Sequence, residues 1–323
     1  MTKYKILEIL RQNKDFISGE EISNDLNISR TAVWKGIKSL REKGYQIKGI
    51  NNKGYKLIED ENDIISEYEI KKNIVKKEIG KKIYLFKSID STNKYVLDNF
   101  EKLNHGDIII ADEQTKGRGK LKKYFYSPKE AGIYMSIVLK NDIFYDSIKL
   151  LSISFFMAVS KALNKLLGIK LDIRLNGFYL NNKKIGGILT ESIFESESGF
   201  IECTVVGIGL NVNNMEFPPK MRSKVSSLRL EMGSEINRKN LIVEIIKESE
   251  KYILNRNYIL NRNQILKEYL EELNLKNRDV LIKYSDRKIL GKVLGLNERG
   301  GIILLKENGK EEIFYRGEVE ICG

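Results

Sequence analysis

Residues 116–123 read KGRGKLKK, five cations and two glycines without a carboxylate, shortly after the apolar run Ile108–Ala111. Glycines let a backbone close tightly around a ligand, and Arg and Lys supply charge and donors suited to phosphate. Further polar clusters sit where apolar runs end: Asp90-Ser91-Thr92-Asn93, Asn176 with Lys183-Lys184-Ile185-Gly186-Gly187, and Gly207-Ile208-Gly209-Leu210-Asn211. Gln114 stands just ahead of the basic stretch. Hydroxyls and amides suit an uncharged polar head group, cations suit phosphate, and glycines permit close approach. Such groups converging on an apolar sheet describe a pocket for a small anionic molecule, a nucleotide above all. Each cluster taken alone has a plainer reading. Residues 91–93 could cap a helix starting near Lys94, and Gly207 with Gly209 could mark a bulge. Lys183-Lys184 could be a turn pair, and the basic stretch could be solvated surface.

The chemistry left open is narrow. His105 is the only histidine, which excludes a multi-histidine zinc site. A Ser-His-Asp triad would need it, and its setting, Asn-His-Gly-Asp, reads as a turn before a strand. Cys203 and Cys322 are far apart and lack metal-ligand spacing, so neither a disulfide framework nor a structural metal site is expected. Chemistry would rest on orientation and on Lys/Arg electrostatics. Across 323 residues, 56 basic and 44 acidic side chains leave a net charge of +12, favouring an anionic partner such as nucleic acid or nucleotide. The first residues show neither an h-region nor a cleavage site, and no apolar run reaches the roughly 18 residues of a membrane span. A cytoplasmic chain with no membrane partner is expected.

The scaffold around these groups falls into three regions. Residues 1–60 begin with a helix carrying Tyr4, Ile6, Leu7, Ile9 and Leu10 on one face. Ser18 with Glu21 three residues on is a capping-box signature, and a short helix to Leu26 follows. Ser29 caps a second helix to about Lys43, with Val33, Ile37 and Leu40 on one face. Thr31, Lys35 and Lys38 share another, flanked by Arg30 and Arg41. Strands at 45–48 and 54–57 flank Asn51-Asn52-Lys53 as a wing. The pattern is a winged helix-turn-helix, whose second helix enters the major groove. Arg30, Thr31, Lys35 and Lys38 are the expected DNA contacts, with Lys53 on a phosphate. Trp34 is expected to pack under the wing rather than to touch a base. The alternative is a three-helix packing module with a wet basic face.

Residues 61–66 read as a linker. From about 67 to 270, strands at Ile83–Phe86, Ile108–Ala111, 133–139, 188–190 and 201–206 mix with long helices at 150–167 and Arg238–Ile253. The alternation is too irregular for repeated βαβ units, so α+β is the expected class. Short β-runs at 280–283, 289–293, 301–305 and 312–315 imply a small all-β barrel.

In this order of regions, over essentially its whole length, the chain resembles the bifunctional biotin protein ligases that also repress the biotin operon. The resemblance implies a winged helix over 1–62, a mixed α/β ligase domain of the biotin/lipoate type over 67–273, and an SH3-like barrel over 274–323. Residues 89–93 (IDSTN) match a motif that contacts biotin. Residues 113–119 (EQTKGRG) match the start of the glycine/arginine-rich loop that closes over biotinyl-adenylate. Lys184, before Ile185-Gly186-Gly187-Ile188-Leu189, falls where the family carries its key lysine, and residues 207–211 match its glycine–asparagine strand end near the adenosine. Two departures stand out. Leu121-Lys122-Lys123-Tyr124-Phe125 replaces a second Gly-Arg and a Trp, with Lys120 in place of an arginine and Phe125 as a substitute stacking ring. The family's Lys-Trp-Pro-Asn-Asp is here Ile173-Arg174-Leu175-Asn176-Gly177.

The resemblance implies adenylation of biotin by MgATP and transfer to a lysine of a biotin carboxyl carrier protein, so biotin, ATP and Mg2+ are the expected small molecules. It implies Lys184 and Arg118 as catalytic. Ser91, Thr92, Asn93, Gln114, Gly117, Arg118, Lys120, Lys184 and Gly187 would surround biotin. Lys120, Phe125, Asn176, Gly207 and Asn211 would hold ATP or the adenylate. Operator DNA and a second copy of the chain, paired when adenylate is bound, are the other expected partners. The alternatives are a biotin-sensing transcriptional regulator with a weak or inactive ligase domain, and a ligase for lipoate or another carboxylate.

Overall fold

Capping decides where the first helices begin. Ser18 Oγ accepts from Glu21 N at 3.0 Å, and the Glu21 carboxylate accepts from Ser18 N at 2.8 Å. Ser29 Oγ accepts from Ala32 N at 3.2 Å. In the computed structural model, which describes residues 2–58, 63–75, 78–120, 123–140, 147–175, 177–195, 200–254, 257–284 and 286–322, these caps open α2 and α3. The first of two compact units, Met1–Lys72, holds α1 (Thr2–Gln12), α2 (Gly19–Leu26), α3 (Arg30–Arg41), β1 (Ile47–Ile50) and β2 (Gly54–Leu57). Ile6, Leu7, Leu10, Ile22, Val33, Ile37 and Leu40 form its core. β1 and β2 pair antiparallel as the wing, Ile47 opposite Leu57.

The helix α4 (Glu67–Asn73) is tied to α1 through two carboxylates. Glu69, 2% exposed, accepts from Tyr45 Oη at 2.6 Å and from Arg11 at 3.0 and 3.1 Å. Glu8 on α1 accepts from Tyr68 Oη at 2.6 Å, Arg11 at 2.9 Å, and Lys72 at 2.8 and 2.6 Å. Tyr4 and Tyr68 stack with centroids 4.0 Å apart.

The second unit, Asn73–Gly323, is built on a seven-stranded sheet ordered β3-β4-β5-β9-β8-β7-β6. The elements are β3 (Ile83–Phe86), α5 (Thr92–Asn99), β4 (Ile108–Ala111), β5 (Gly132–Leu139), α6 (Ile148–Leu167), β6 (Asp172–Arg174), β7 (Gly177–Leu180), β8 (Lys183–Phe194) and β9 (Ile201–Asn211). There follow α7 (Leu228–Met232), α8 (Arg238–Ile253), α9 (Asn257–Leu260) and α10 (Arg262–Leu273). β3 and β4 run parallel and every other described ladder of this sheet is antiparallel. Residues alternate between faces along a strand. Ile109, Val138, Cys203 and Val205 accordingly pack with Val96 of α5, while α6 and α8 pack against each other and against β8 and β5. By length and composition α6 could cross a membrane, contrary to the expectation that no run is apolar enough. With 67% of that window buried inside the fold, it is a core helix here. The small β domain is a five-stranded antiparallel sheet ordered β13-β12-β11-β10-β14, with β10 (Asp279–Tyr284), β11 (Arg287–Leu296), β12 (Ile302–Leu305), β13 (Glu311–Phe314) and β14 (Glu318–Ile321).

Candidate functional site

Register decides what meets at the end of the large sheet. Phe86 lies opposite Ala111, Ala111 opposite Tyr134, and Gly132 opposite Asn211. Leu210 lies opposite Gly186, Gly186 opposite Phe178, and Gly177 opposite Arg174. Neighbouring strands stand about 4.8 Å apart. The chain leaving β3 and β4, the end of β9, the start of β8 and the β6–β7 turn therefore share one edge. That row gathers residues 90–93, 112–120, 123–125, 184–187 and 207–211 from distant stretches of sequence. Asn176 lies outside the described residues.

One side of this edge is a chain of hydrogen bonds. Ser91 caps α5, its Oγ accepting from Lys94 N at 3.4 Å, so the capping reading of this residue holds. Thr92 and Asn93 turn inward. Gln114 Oε1 accepts from Thr92 N at 2.9 Å and Thr92 Oγ1 at 3.2 Å, while its Nε2 donates to Ser127 Oγ at 3.0 Å. Ser136 Oγ, fully buried on β5, lies 2.7 Å from Thr92 Oγ1 and 2.6 Å from Asn93 Oδ1. Asn93 Nδ2 donates to Leu189 O at 3.2 Å and Glu191 Oε2 at 2.8 Å. Asn93 thus spends its amide bracing α5 against β8. Gly207 makes room for it, since a Cβ there would stand 2.2 Å from Asn93 Oδ1. Gly187 pairs with Gly209, and the Phe125 ring lies on Gly209, where a Cβ would come within 2.9 Å of it. Asn211 Nδ2 donates to Ser226 O at 3.0 Å. Its Oδ1 is buried without a donor among the described residues, an acceptor open to a ligand N–H or hydroxyl.

The basic stretch is a flap. Gly119 N donates to Lys123 O at 2.7 Å and Phe125 N to Gly117 O at 3.0 Å, with Arg118 bridged to Tyr124. Leu121 and Lys122 lie outside the described residues. At Gly117 a Cβ would stand 2.3 Å from Phe125 O, so the flap closes only on a glycine. Arg118 is exposed. Lys120 Nζ donates to Leu175 O at 3.0 Å and lies 5.6 Å from the Phe156 centroid, which carries the flap from β4 across to the β6–β7 turn. Burial of its tip lowers the Lys120 pKa.

Lys184 is held by its backbone, its N–H donating to Lys224 O and its carbonyl accepting from Ser226 N, both at 2.9 Å. Its side chain runs past Gly177. A Cβ at Gly177 would meet Lys184 Cε at 2.6 Å and Gly186 O at 2.3 Å, and the residue's φ is +156°. No side chain fits there without strain, so the missing acid of the family motif is matched by a backbone that leaves the space to Lys184.

Several participants carried little sequence signal. Ser127 and Ser136 support Gln114 and Thr92. Ser136 could have been found as the one serine in an otherwise hydrophobic strand. Lys149, in the first turn of α6, donates to Tyr315 O at 3.2 Å. Burial, and then the Lys120 charge, draw its pKa down to about 7. Two lysines near each other in protein surroundings favour an anion beside them.

On the first unit, Arg30, Thr31, Lys35, Lys38 and Lys53 are all exposed, the first four along α3 and the last in the wing turn. Arg30 is ion-paired with Glu20, and Arg41 turns to the wing, its Nε donating to Ile47 O at 2.9 Å. Trp34 departs from expectation. It is 53% exposed, whereas Tyr55 of the wing strand β2 packs against the core.

A basic recognition helix joined to a mixed sheet that gathers lysines, amides and glycines at one edge defines a ligase of the adenylate-forming kind with a DNA-binding module. Family descriptions match in the same order: an HTH domain over residues 2–56, the biotin/lipoate A/B protein ligase family over 85–211, and the biotin protein ligase C terminal domain over 277–321. The bifunctional ligase/repressor BirA of Bacillus spizizenii is 32% identical over 98% of this chain and 97% of its own length. That of Escherichia coli is 29% identical over 98% and 96%. The biotin protein ligase of Aquifex aeolicus, solved in complex with biotin and ATP, gives a TM-score of 0.61 at 27% identity, covering 75% of this chain and 99% of that one. The chain belongs to the family of bifunctional biotin ligases and repressors.

Proposed function

We infer that this protein joins biotin to a carrier protein at the expense of ATP and represses biotin genes by binding DNA. The observation that carries the reading is the shared sheet edge, which sets a neutral polar floor beside a cationic flap and Lys184. A carboxylate oxygen of biotin attacks the α-phosphorus of MgATP, the bond to the bridging oxygen breaks, and pyrophosphate leaves. The amine of a carrier lysine then attacks the carbonyl of biotinyl-5′-AMP, loses a proton, and AMP leaves. Bringing two anions to 4 Å costs about 4 kcal/mol at an effective dielectric of 20. Lys184 between them offsets that repulsion and stabilises charge developing at phosphorus.

Arg118 holds phosphate or the carboxylate, and Lys120 with Lys149 meets the departing phosphates. Thr92 and Gln114 bond the ureido head, Gly117 and Gly187 allow its approach, and Ser91 and Asn93 fix the helix that carries Thr92. Asn211, Gly207 and Phe125 serve the adenosine side, and Asn176 is assigned to the same role by its place in the family motif. Mg2+ enters as the counter-ion of the nucleotide substrate.

On this reading residues 1–62 bind DNA, residues 67–273 carry the ligase chemistry, and residues 274–323 form the small β domain. It gives the protein a biotin carboxyl carrier partner, a cytoplasmic location and a homodimer on DNA. Biotin-dependent ATP–pyrophosphate exchange, with lipoate as control, tests it. Exchange with biotin alone is expected. Biotin binding without exchange would favour the second reading, a biotin-sensing regulator, which Gly177 motivates.

A further inference from the structure

We propose that Trp34 reads operator sequence directly, its indole packing against thymine methyl groups in the major groove. The inference rests on the DNA-binding reading and goes beyond it. In α3, Val33, Ile37 and Leu40 are at most 1% exposed and face the core. Arg30, Trp34 and Lys38 recur at i, i+4 and i+8, a single line along a helix. Trp34 is the middle residue of that line and the only tryptophan in the chain.

An indole left 53% in water at the centre of a cationic face is an apolar surface awaiting cover. The surrounding charge decides what covers it. Lys35 and Lys38 are exposed beside it, and Lys38 Nζ stands 5.6 Å from the indole centroid. That arrangement keeps an ammonium poised over the ring and would repel a basic partner while attracting a polyanion. Within the major groove, base edges are donors and acceptors except for the C5-methyl of thymine, the group suited to an apolar contact. The lysines and Lys53 then fix the helix on phosphates without reading sequence. Trp34 supplies the selective contact. The aromatic of the wing strand that packs onto the core is Tyr55, while the Trp34 indole stays in water.

The single tryptophan makes the test clean. A duplex is enriched from a random-sequence library with the full chain in the presence of biotin and MgATP, binding of every chain is followed by the anisotropy of a labelled duplex, and intrinsic indole fluorescence is read in the native chain. Emission should quench and shift to shorter wavelength as the duplex saturates. Replacing contacted thymines by uracil should weaken the native chain about fourfold per methyl and leave Trp34→Ala indifferent. Trp34→Ala should lose about tenfold in affinity with an unchanged salt slope, whereas Lys35→Ala should lower that slope by about one. An enriched duplex that leaves indole emission unchanged, and that both chains bind with equal uracil sensitivity, overturns the inference while leaving DNA binding intact. If no duplex is enriched, the DNA-binding reading falls and this inference falls with it.

Discussion

Lys184 and Gly177 act as a pair, because the lysine's chain fills the volume that a side chain at 177 would need. Two opposite outcomes follow. Lys184→Ala should fold normally and bind DNA when given preformed biotinyl-5′-AMP, yet lose at least about a hundredfold in pyrophosphate exchange, the usual cost of removing one group that stabilises developing charge. Near-normal exchange in that variant sinks the assignment. Gly177→Asp, which restores the acid of the family motif, should destabilise by about 2 kcal/mol or more, read as a lowered denaturant midpoint. Lys149 gives a test with a sign. Its folded pKa is depressed, so the penalty of holding it charged is full below about pH 7 and fades as pH rises toward the unfolded value near 10.5. Lys149→Met should therefore raise Tm at pH 6–7, show a shrinking advantage by pH 10, and raise KM for ATP. A gain in stability without a change in KM would make Lys149 a passive strain. None of this pairing is legible in the sequence. A lysine near the start of β8 and a glycine at the start of β7 carry no mark of what they touch until register brings them together.

At the scale of elements, the sequence located what local signals govern. Ser18 and Ser29 announced α2 and α3 through capping, and the apolar runs at Ile83–Phe86 and Ile108–Ala111 became strands with those bounds. The short β6, β7 and β14 escaped, since three or four residues are too few to set a periodicity apart from chance, even where Glu318-Val319-Glu320-Ile321 alternates. The clamp of α4 onto α1 also escaped, because Glu8, Arg11, Tyr45 and Glu69 are held together only by tertiary packing. That clamp has a pH signature. Burial alone would raise the Glu8 pKa, but hydrogen bonds from Lys72, Tyr68 and Arg11 outweigh it and hold the carboxyl near 2. The group stabilises the fold above its unfolded value near 4.5, and that contribution is lost as pH falls toward 2. Glu8→Gln should lower the melting temperature of the first unit at pH 7, and the difference from the native chain should vanish by about pH 2. A difference that persists at that pH would mean Glu8 acts through packing alone.

For the molecule as a whole, the question is how a ligand bound at a sheet edge could govern occupancy of DNA. Two half-sites would require two winged helices held at fixed spacing, so on the homodimer proposed above, whatever promotes pairing would promote repression. The flap supplies the link. Glycine at 117 and the bridge from Arg118 to Tyr124 let it close, and closure over an adenylate would settle its cations on phosphate, changing the surface beside the site. A ligand that favours the paired form shifts the equilibrium only by its differential affinity for that form. The adenylate, which meets Lys120 and Arg118 at once, has the contacts to supply it, whereas biotin alone has fewer. Sedimentation of the native chain should therefore show the light species when empty, little change with biotin alone, and a heavier species with biotin and MgATP together. Lys184→Ala should stay light with biotin and MgATP but become heavy with preformed biotinyl-5′-AMP, because it lacks synthesis rather than the pairing surface. Sedimentation that is identical under all these conditions would separate DNA binding from the ligase site and leave the flap a purely catalytic element.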